Sequence, residues 1–413
     1  MAPDRWDHLP GKKPGPLDAL HAYRPGDFVF TTPGHTLLAR DMSRTRVQRA
    51  TGEHLGAAFD AARRSGLSRP VAVGALAFDP AAPAHIAVPH EVVMSGRSPR
   101  GGSGDEAPAR PRIRAHHRVP DEHGYTRAVA RAIDRVTRTE LDKVVLARTL
   151  RLVLDHPVDP GQLLRRLASA DPAAHVFAVD VPPEHGGARR TLLGASPELL
   201  VARRGPAVHS HPLAGSAARD PDPATDRRRA RELVASAKDR HEHAFVVAAL
   251  AESLSPFCAE LHVPEAPSVT ATSTMWHLGT RITGRLAEPL PSSLDLARAV
   301  HPTPAVCGTP TRLALEAIGE LEPFDRGHYA GAVGWCDADG DGEWAVALRC
   351  AEVEGDEARL FAGAGIVADS DPVAELAETS AKFRTMLDAF EEASPHREPP
   401  VDPRSPTRQD DAP

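Results

Sequence analysis

The chain has 413 residues, enough for one large core or two ordinary domains. Its 41% hydrophobic and 25% charged residues suit a folded globular protein, and its formal net charge of −7 argues against nucleic acid or anionic lipid as partner, since both call for a basic face. No apolar run reaches the length of a bilayer span, and the opening MAPDRWDHLPGKKPG lacks a signal-peptide hydrophobic core, so the expected compartment is the cytoplasm.

Residues 1–16, rich in Pro, Gly and Lys, read as a flexible lead-in to one folded unit over 17–392. Strands are expected at Asp27–Thr31, His35–Ala39 and Val71–Phe78. Gly, Ser and Pro crowd residues 95–112, which read as a surface loop rather than a domain boundary. Helical spacing follows over Tyr125–Thr139, then the β-branched, apolar run Lys143–Leu154 reads as a strand. Further strands are expected at His175–Val179 and Arg190–Leu193, with Ser196-Pro197 as a turn closing a hairpin into Leu199–Arg203. A single long helix is expected from about Asp226 to Leu254. Strands return at Arg281–Leu286, Tyr329–Trp335, Glu343–Cys350 and Arg359–Ile366 before a closing helix over Val373–Phe390, and residues 393–413 read as a disordered tail. Strands and helices mix without βαβ alternation, which predicts an α+β fold built on large, mainly antiparallel sheet.

Two helix faces carry paired carboxylates. Asp239 and Glu242 are three residues apart on one helix, Glu375 and Glu378 on another, and residues at that spacing share a face. Together they could hold a hard cation such as Mg²⁺, although from spacing alone two solvated faces with routine salt bridges are the simpler reading. Lys143, opening an apolar strand, is either an edge lysine reaching for solvent or a desolvated base. Glu198, beside the Ser196-Pro197 turn, is by itself an ordinary turn carboxylate. The four cysteines form no C-x-x-C pair and read as buried free thiols. Asp337–Gly342 looks like the start of a calcium loop, but Leu348 stands where the twelfth-position glutamate is needed, so a polar hairpin turn between Trp335 and Trp344 is expected instead. The Ala362–Val367 segment lacks the third glycine of a dinucleotide fingerprint. His209-Ser-His211 and His241-Glu-His243 are chance pairs in a chain with 21 histidines rather than zinc ligands.

Taken together, these segments resemble the chorismate-utilising enzymes: the anthranilate, aminodeoxychorismate, salicylate and isochorismate synthases. The resemblance runs over roughly Asp121–Phe390. It is carried by Lys143–Arg148 (KVVLAR), Gly194–Leu200 (GASPELL), Pro212–Ser216 (PLAGS), Ser236–His243 (SAKDRHEH), Trp276-His-Leu278 and His301–Gly308 (HPTPAVCG). Phe324–Gly327 (FDRG), Gly331–Trp335, Ala362–Val367 and the Glu375–Lys382 segment continue it. Gly26–Phe30 and His35–Leu38 resemble the isochorismate synthases of catecholate-siderophore pathways in particular.

The resemblance implies a single α+β domain with two large antiparallel sheets around a central cleft and flanking helices. It implies that Glu242 and Glu378 ligate Mg²⁺, with Asp239 and Glu375 acting through water or behind them. Gly215, Ser216, His277, Ala305, Tyr329, Arg349, Gly363 and Lys382 would bind chorismate, with Lys143 as base toward water and Glu198 as acid toward the departing C4 oxygen. Family members that use water carry a lysine at the Lys143 position, which points away from ammonia-dependent synthesis and from a glutaminase partner. The expected activity is that of an isomerase, isochorismate synthase, feeding 2,3-dihydroxybenzoate and siderophore formation, from a monomer. A salicylate synthase, or a chorismate binder without turnover, are the alternatives.

Overall fold

The computed structural model describes residues 19–42, 46–47, 51–96, 110–183 and 189–391. The expected flexible segments 1–16 and 393–413, and most of the 95–112 loop, lie outside these residues. Ser95 and Gly96 are described and end the Glu91–Gly96 strand.

The Lys143–Leu154 strand is buried over its first eight residues, and a strand covered on both faces needs no polar alternation. It lies in a ten-stranded antiparallel sheet, paired along one edge with Glu357–Ile366. One face of that sheet packs on a nine-stranded antiparallel sheet. Their shared core holds Phe28, Phe30, Phe177 and Leu192 from the first sheet and Val201, Val333, Trp335 and Trp344 from the second. The opposite face is covered by the Pro160–Ala170 and Pro372–Phe390 helices, through Leu163, Leu164, Leu167, Phe383 and Met386. A small third sheet joins Leu213–Ala218, Met275–Gly279 and Ser268–Ala271. Among the described residues no helix is long and apolar enough to cross a membrane. The fold is the expected α+β arrangement, with the third sheet as an addition.

Three expectations are corrected, and all three corrections bear on the cleft. The long helix is two, Pro223–Ala235 and Ala237–Leu254, because Ser236 leaves helical geometry at ψ 117°. Its N–H closes the first helix on Glu232 O (2.9 Å), while its hydroxyl caps the second by accepting the Asp239 N–H at 3.2 Å. The Ser196-Pro197 turn closes no hairpin. Arg190–Ser196 belongs to the ten-stranded sheet and Leu199–Arg204 to the nine-stranded one, so the chain crosses between sheets at Pro197 and Glu198. Nor is Glu343–Cys350 one strand: Gly342–Val346 lies in the nine-stranded sheet and Cys350–Glu354 in the ten-stranded one. Arg349, at φ +47°, makes that second crossing in left-handed geometry, which costs a non-glycine residue about 1–2 kcal/mol. The crossings are tied by Val346 N–H to Glu198 O (3.1 Å) and Ala195 N–H to Arg349 O (3.0 Å). The expected polar turn does form, with Asp337 Oδ1 accepting the N–H groups of Asp339 and Asp341, and all four cysteines are free.

Candidate active site

The two crossings, the small sheet and two helix N-termini surround a small, partly enclosed cleft. Glu198, Glu242, Glu378, Gly215, Ser216, His277, Ala305, Tyr329, Arg349, Gly363 and Lys382 all line it. Lys143, Asp239 and Glu375 stand behind the lining. Pro197, Val145, Val306, Leu348, Phe361 and Gly365 also face the cleft and escaped the sequence reading, which had no signal for apolar wall residues.

One side of the cleft is a set of lysine–carboxylate pairs. Lys143, fully buried, places Nζ 2.9 Å from Glu242 Oε1, but off the axis that a hydrogen bond requires. Gly365 makes room for the pair, since a methyl there would stand 2.4 Å from Glu242 Oε1 and 2.9 Å from Lys143 Cε. Lys382 Nζ meets Glu378 Oε1 at 2.6 Å and donates to Gly363 O at 2.9 Å, while Ser216 donates to the same Glu378 oxygen at 3.1 Å. Lys238, not singled out from the sequence, donates to Glu375 Oε1 at 2.9 Å. Glu375 lies in the first turn of its helix and Asp239 in the first turn of its own, where the helix dipole favours negative charge.

Burial alone would raise the Glu378 carboxyl, but Lys382, Lys238 and the Ser216 hydrogen bond leave it below the usual carboxylate range. Asp239 is raised, first by burial and then by repulsion from Glu242 and Glu378, so these carboxylates act on one another across a shared space. Gly215, at φ +78°, lets the small sheet approach Asp239, where a methyl group would come within 3.0 Å of its Cβ.

The other side of the cleft is desolvated and poor in charge pairs. Glu198 is 2% exposed. Burial raises its carboxyl to about 8, against the opposing pull of the Leu213 N–H, Lys143, Arg349 and Lys382. It is therefore a protonated acid at neutral pH. His277 is held well below the usual imidazole range by burial and then by Arg349 and Lys382, which keeps it neutral. Its Nε2 accepts from Arg349 Nη2 at 3.4 Å. Tyr329 stacks on Phe361 with ring centroids 4.8 Å apart.

The arrangement offers two kinds of chemistry. A protonated carboxyl and a buried amine in one cleft suit paired proton donation and acceptance. Hard oxygen donors from two helices, repelling one another, suit a divalent cation. Among the described residues, however, no three His, Cys, Asp or Glu side chains stand close enough together to hold an ion as they are, and lysines occupy the carboxylates instead.

Residues 100–391 match the family model of chorismate binding enzymes. The chain is 49% identical over 381 residues to the isochorismate synthase DhbC of Bacillus subtilis, covering 90% of this chain and 95% of that one. It is 42% identical over 340 residues to the isochorismate synthase EntC of Escherichia coli, covering 82% and 85%. The crystal structure of DhbC from Bacillus anthracis, assigned as a 2,3-dihydroxybenzoate-specific isochorismate synthase, superposes with a TM-score of 0.84 at 44% identity over 90% of this chain and 98% of that one.

Proposed function

The chain belongs to the chorismate-binding enzyme family, and from that premise we propose that it is an isochorismate synthase, an isomerase that adds water at C2 of chorismate and expels the C4 hydroxyl. The observation that carries the reading is the opposite protonation of two buried carboxyls that line one cleft, Glu198 and Glu378. Glu198 is held as an acid up to about pH 8, while Glu378 is held as an anion. The reaction asks for both: a proton for a leaving oxygen and fixed negative charge for a cation.

Lys143 takes a proton from the attacking water as its oxygen bonds to C2. The ring double bonds shift and the C4–O bond breaks. Glu198 gives its proton to the departing oxygen, which leaves as water. Substrate and product are isomers, so one proton returns from Lys143 to Glu198 before the next cycle. A positioned acid or base contributes roughly 10²–10⁴-fold. Arg349 and Lys382 bind substrate carboxylate, the guanidinium as a planar fork. Neutral His277 and Tyr329 shape the wall, and Gly215, Ser216, Ala305 and the Gly363 backbone complete the contact surface. Glu242 and Glu378 would hold Mg²⁺, with Asp239 and Glu375 behind them, and the ion would supply charge neutralisation for the substrate's ring carboxylate. The product would feed a 2,3-dihydroxybenzoate route, as in the Bacillus anthracis relative.

The test is product analysis by chromatography and mass spectrometry after incubation with chorismate and Mg²⁺, with chelator as control. Isochorismate without pyruvate is the expected result. Salicylate with stoichiometric pyruvate would replace the reading with a salicylate synthase, and binding without turnover would remove the catalytic assignment.

A further inference from the structure

We propose that Arg326 and Glu322, a buried ion pair set back from the cleft, are positioning residues for this reaction: they replace a missing stretch of β-strand and so hold the Ala305–Val306 wall and Tyr329 against the strand that carries Lys143. The inference rests on the chorismate-to-isochorismate reading above.

The free edge of the Lys143–Leu154 strand is covered in two pieces. Ile113–Val119 pairs with Thr149–Leu154, and Gly308 and Thr309 pair with Val144 and Lys143. Among the described residues no strand pairs with that edge between the two pieces. The ladder's last backbone bond runs from Val145 N–H to Cys307 O at 2.8 Å. There the neighbouring chain bends away through a turn, with the N–H groups of Val306 and Cys307 both returning to Thr303 O, and this bend puts Ala305 and Val306 on the cleft. It would also orphan the next groups along the edge, Val145 C=O and Ala147 N–H. An unsatisfied buried polar group costs about 1–3 kcal/mol.

The ion pair takes both. Arg326 Nη2 donates to Val145 O at 2.8 Å, and Glu322 Oε1 accepts the Ala147 N–H at 2.6 Å. The same guanidinium donates through Nη1 to Val306 O at 2.8 Å and through Nε to Glu322 Oε2 at 2.9 Å. It lies 4.3 Å from the Phe78 ring centroid and 5.9 Å from that of Tyr329. Arg326 and Glu322 are 3% and 9% exposed, and neither lines the cleft. One planar cation thus fixes three wall elements, Val145, Val306 and Tyr329, relative to one another. A lysine cannot do this, because a single ammonium lacks the fork that bridges separated oxygens in one plane. In a site this small a wall displaced by about 1 Å costs on the order of 10²-fold in rate.

The test compares wild type, Arg326→Lys and Glu322→Gln in kcat, KM, calorimetric affinity for chorismate and for Mg²⁺, and Tm. The metal carboxylates sit on the two helices across the cleft, so Mg²⁺ affinity should stay within about twofold in folded variants. Arg326→Lys should lose on the order of 10²-fold in kcat/KM, with a raised KM and weakened chorismate binding. Glu322→Gln, which keeps an oxygen for Ala147 N–H, should move the same way by about three- to tenfold. A folded Arg326→Lys variant with wild-type KM, kcat and chorismate affinity, but a lowered Tm, would reduce the pair to a fold element. Should that variant not fold, wild-type kinetics in Glu322→Gln would overturn the proposal equally. Wild-type protein that binds chorismate but makes no isochorismate would sink the functional reading and leave the binding comparison to judge the pair; one that binds no chorismate would sink both.

Discussion

The two sides of the cleft solve the problem of buried charge in opposite ways. On the helix side three of the four carboxylates stand beside a lysine nitrogen: Glu242 beside Lys143, Glu378 beside Lys382, Glu375 beside Lys238. On the crossing side Glu198 and His277 are stripped of water and left neutral, Glu198 by keeping its proton and His277 by refusing one. Glutamates a cleft's width apart therefore do different work, and the difference is set by neighbours rather than by residue type. On the proposed reading, charge is kept where a cation or an anionic substrate would be held, and a mobile proton is kept where a bond would break.

The largest break in this contrast should come from removing the proposed base. Lys143→Ala should cost about 10²–10⁴-fold in kcat, while calorimetry should find chorismate binding largely kept; equal loss of binding would make Lys143 a clamp. Glu242→Ala or Glu378→Ala should leave no activity at any Mg²⁺ concentration, and a variant fully active in excess chelator would refute the metal assignment. Glu198→Gln tests the other side. It should cut kcat by about 10²–10⁴-fold and abolish an alkaline limb that falls through about pH 8 in the wild-type profile of kcat/KM. Stability should move the opposite way. Because the folded-state pKa is raised from 4.5 to about 8, the native state binds the extra proton, and stability falls as pH rises between those values, by up to about 1.4 kcal/mol per pH unit. The glutamine variant, with nothing to ionise, should gain in Tm over wild type from pH 5 to pH 8. A constant difference across that window would mean that Glu198 is ionised throughout.

The helix side was far more legible in the sequence than the crossing side. Spacing by three residues put Asp239 with Glu242 and Glu375 with Glu378, because a helix converts spacing directly into a shared face. It could not show that Ser236 restarts the helix three residues before Asp239, since Ser236 is at once the C-cap of one helix and the N-cap of the next. The crossings were misread because a residue leaving one sheet for another looks locally like a turn or a continuing strand. Ser196-Pro197 has turn chemistry, and Leu348-Arg349 sits in an unbroken β-like run. Only long-range pairing reveals that both segments change sheets and that Glu198 and Arg349 meet the cleft there. Lys143 was placed correctly at the head of its strand, yet its position beneath Glu242 and Gly365 depends on strand Glu357–Ile366, more than 200 residues away.

The smallest expected effect sharpens the contrast at Lys238. Its side chain is 35% exposed and pairs with the 2% exposed carboxylate of Glu375. It is a counter-ion on the rim of the charged side, so a cation arriving at Glu242 and Glu378 works against its positive charge. Lys238→Gln removes that charge while leaving an amide that can still donate to Glu375. Mg²⁺ should then bind a few-fold more tightly, the size of effect expected when a partly exposed charge worth about 0.5–1 kcal/mol is removed. Raising the salt concentration should narrow the gap between variant and wild type, because exposed charges are screened. Weaker Mg²⁺ binding in Lys238→Gln would mean instead that the lysine orders Glu375 for the ion, and the helix side would then be a preassembled frame rather than a set of carboxylates whose cations are exchanged.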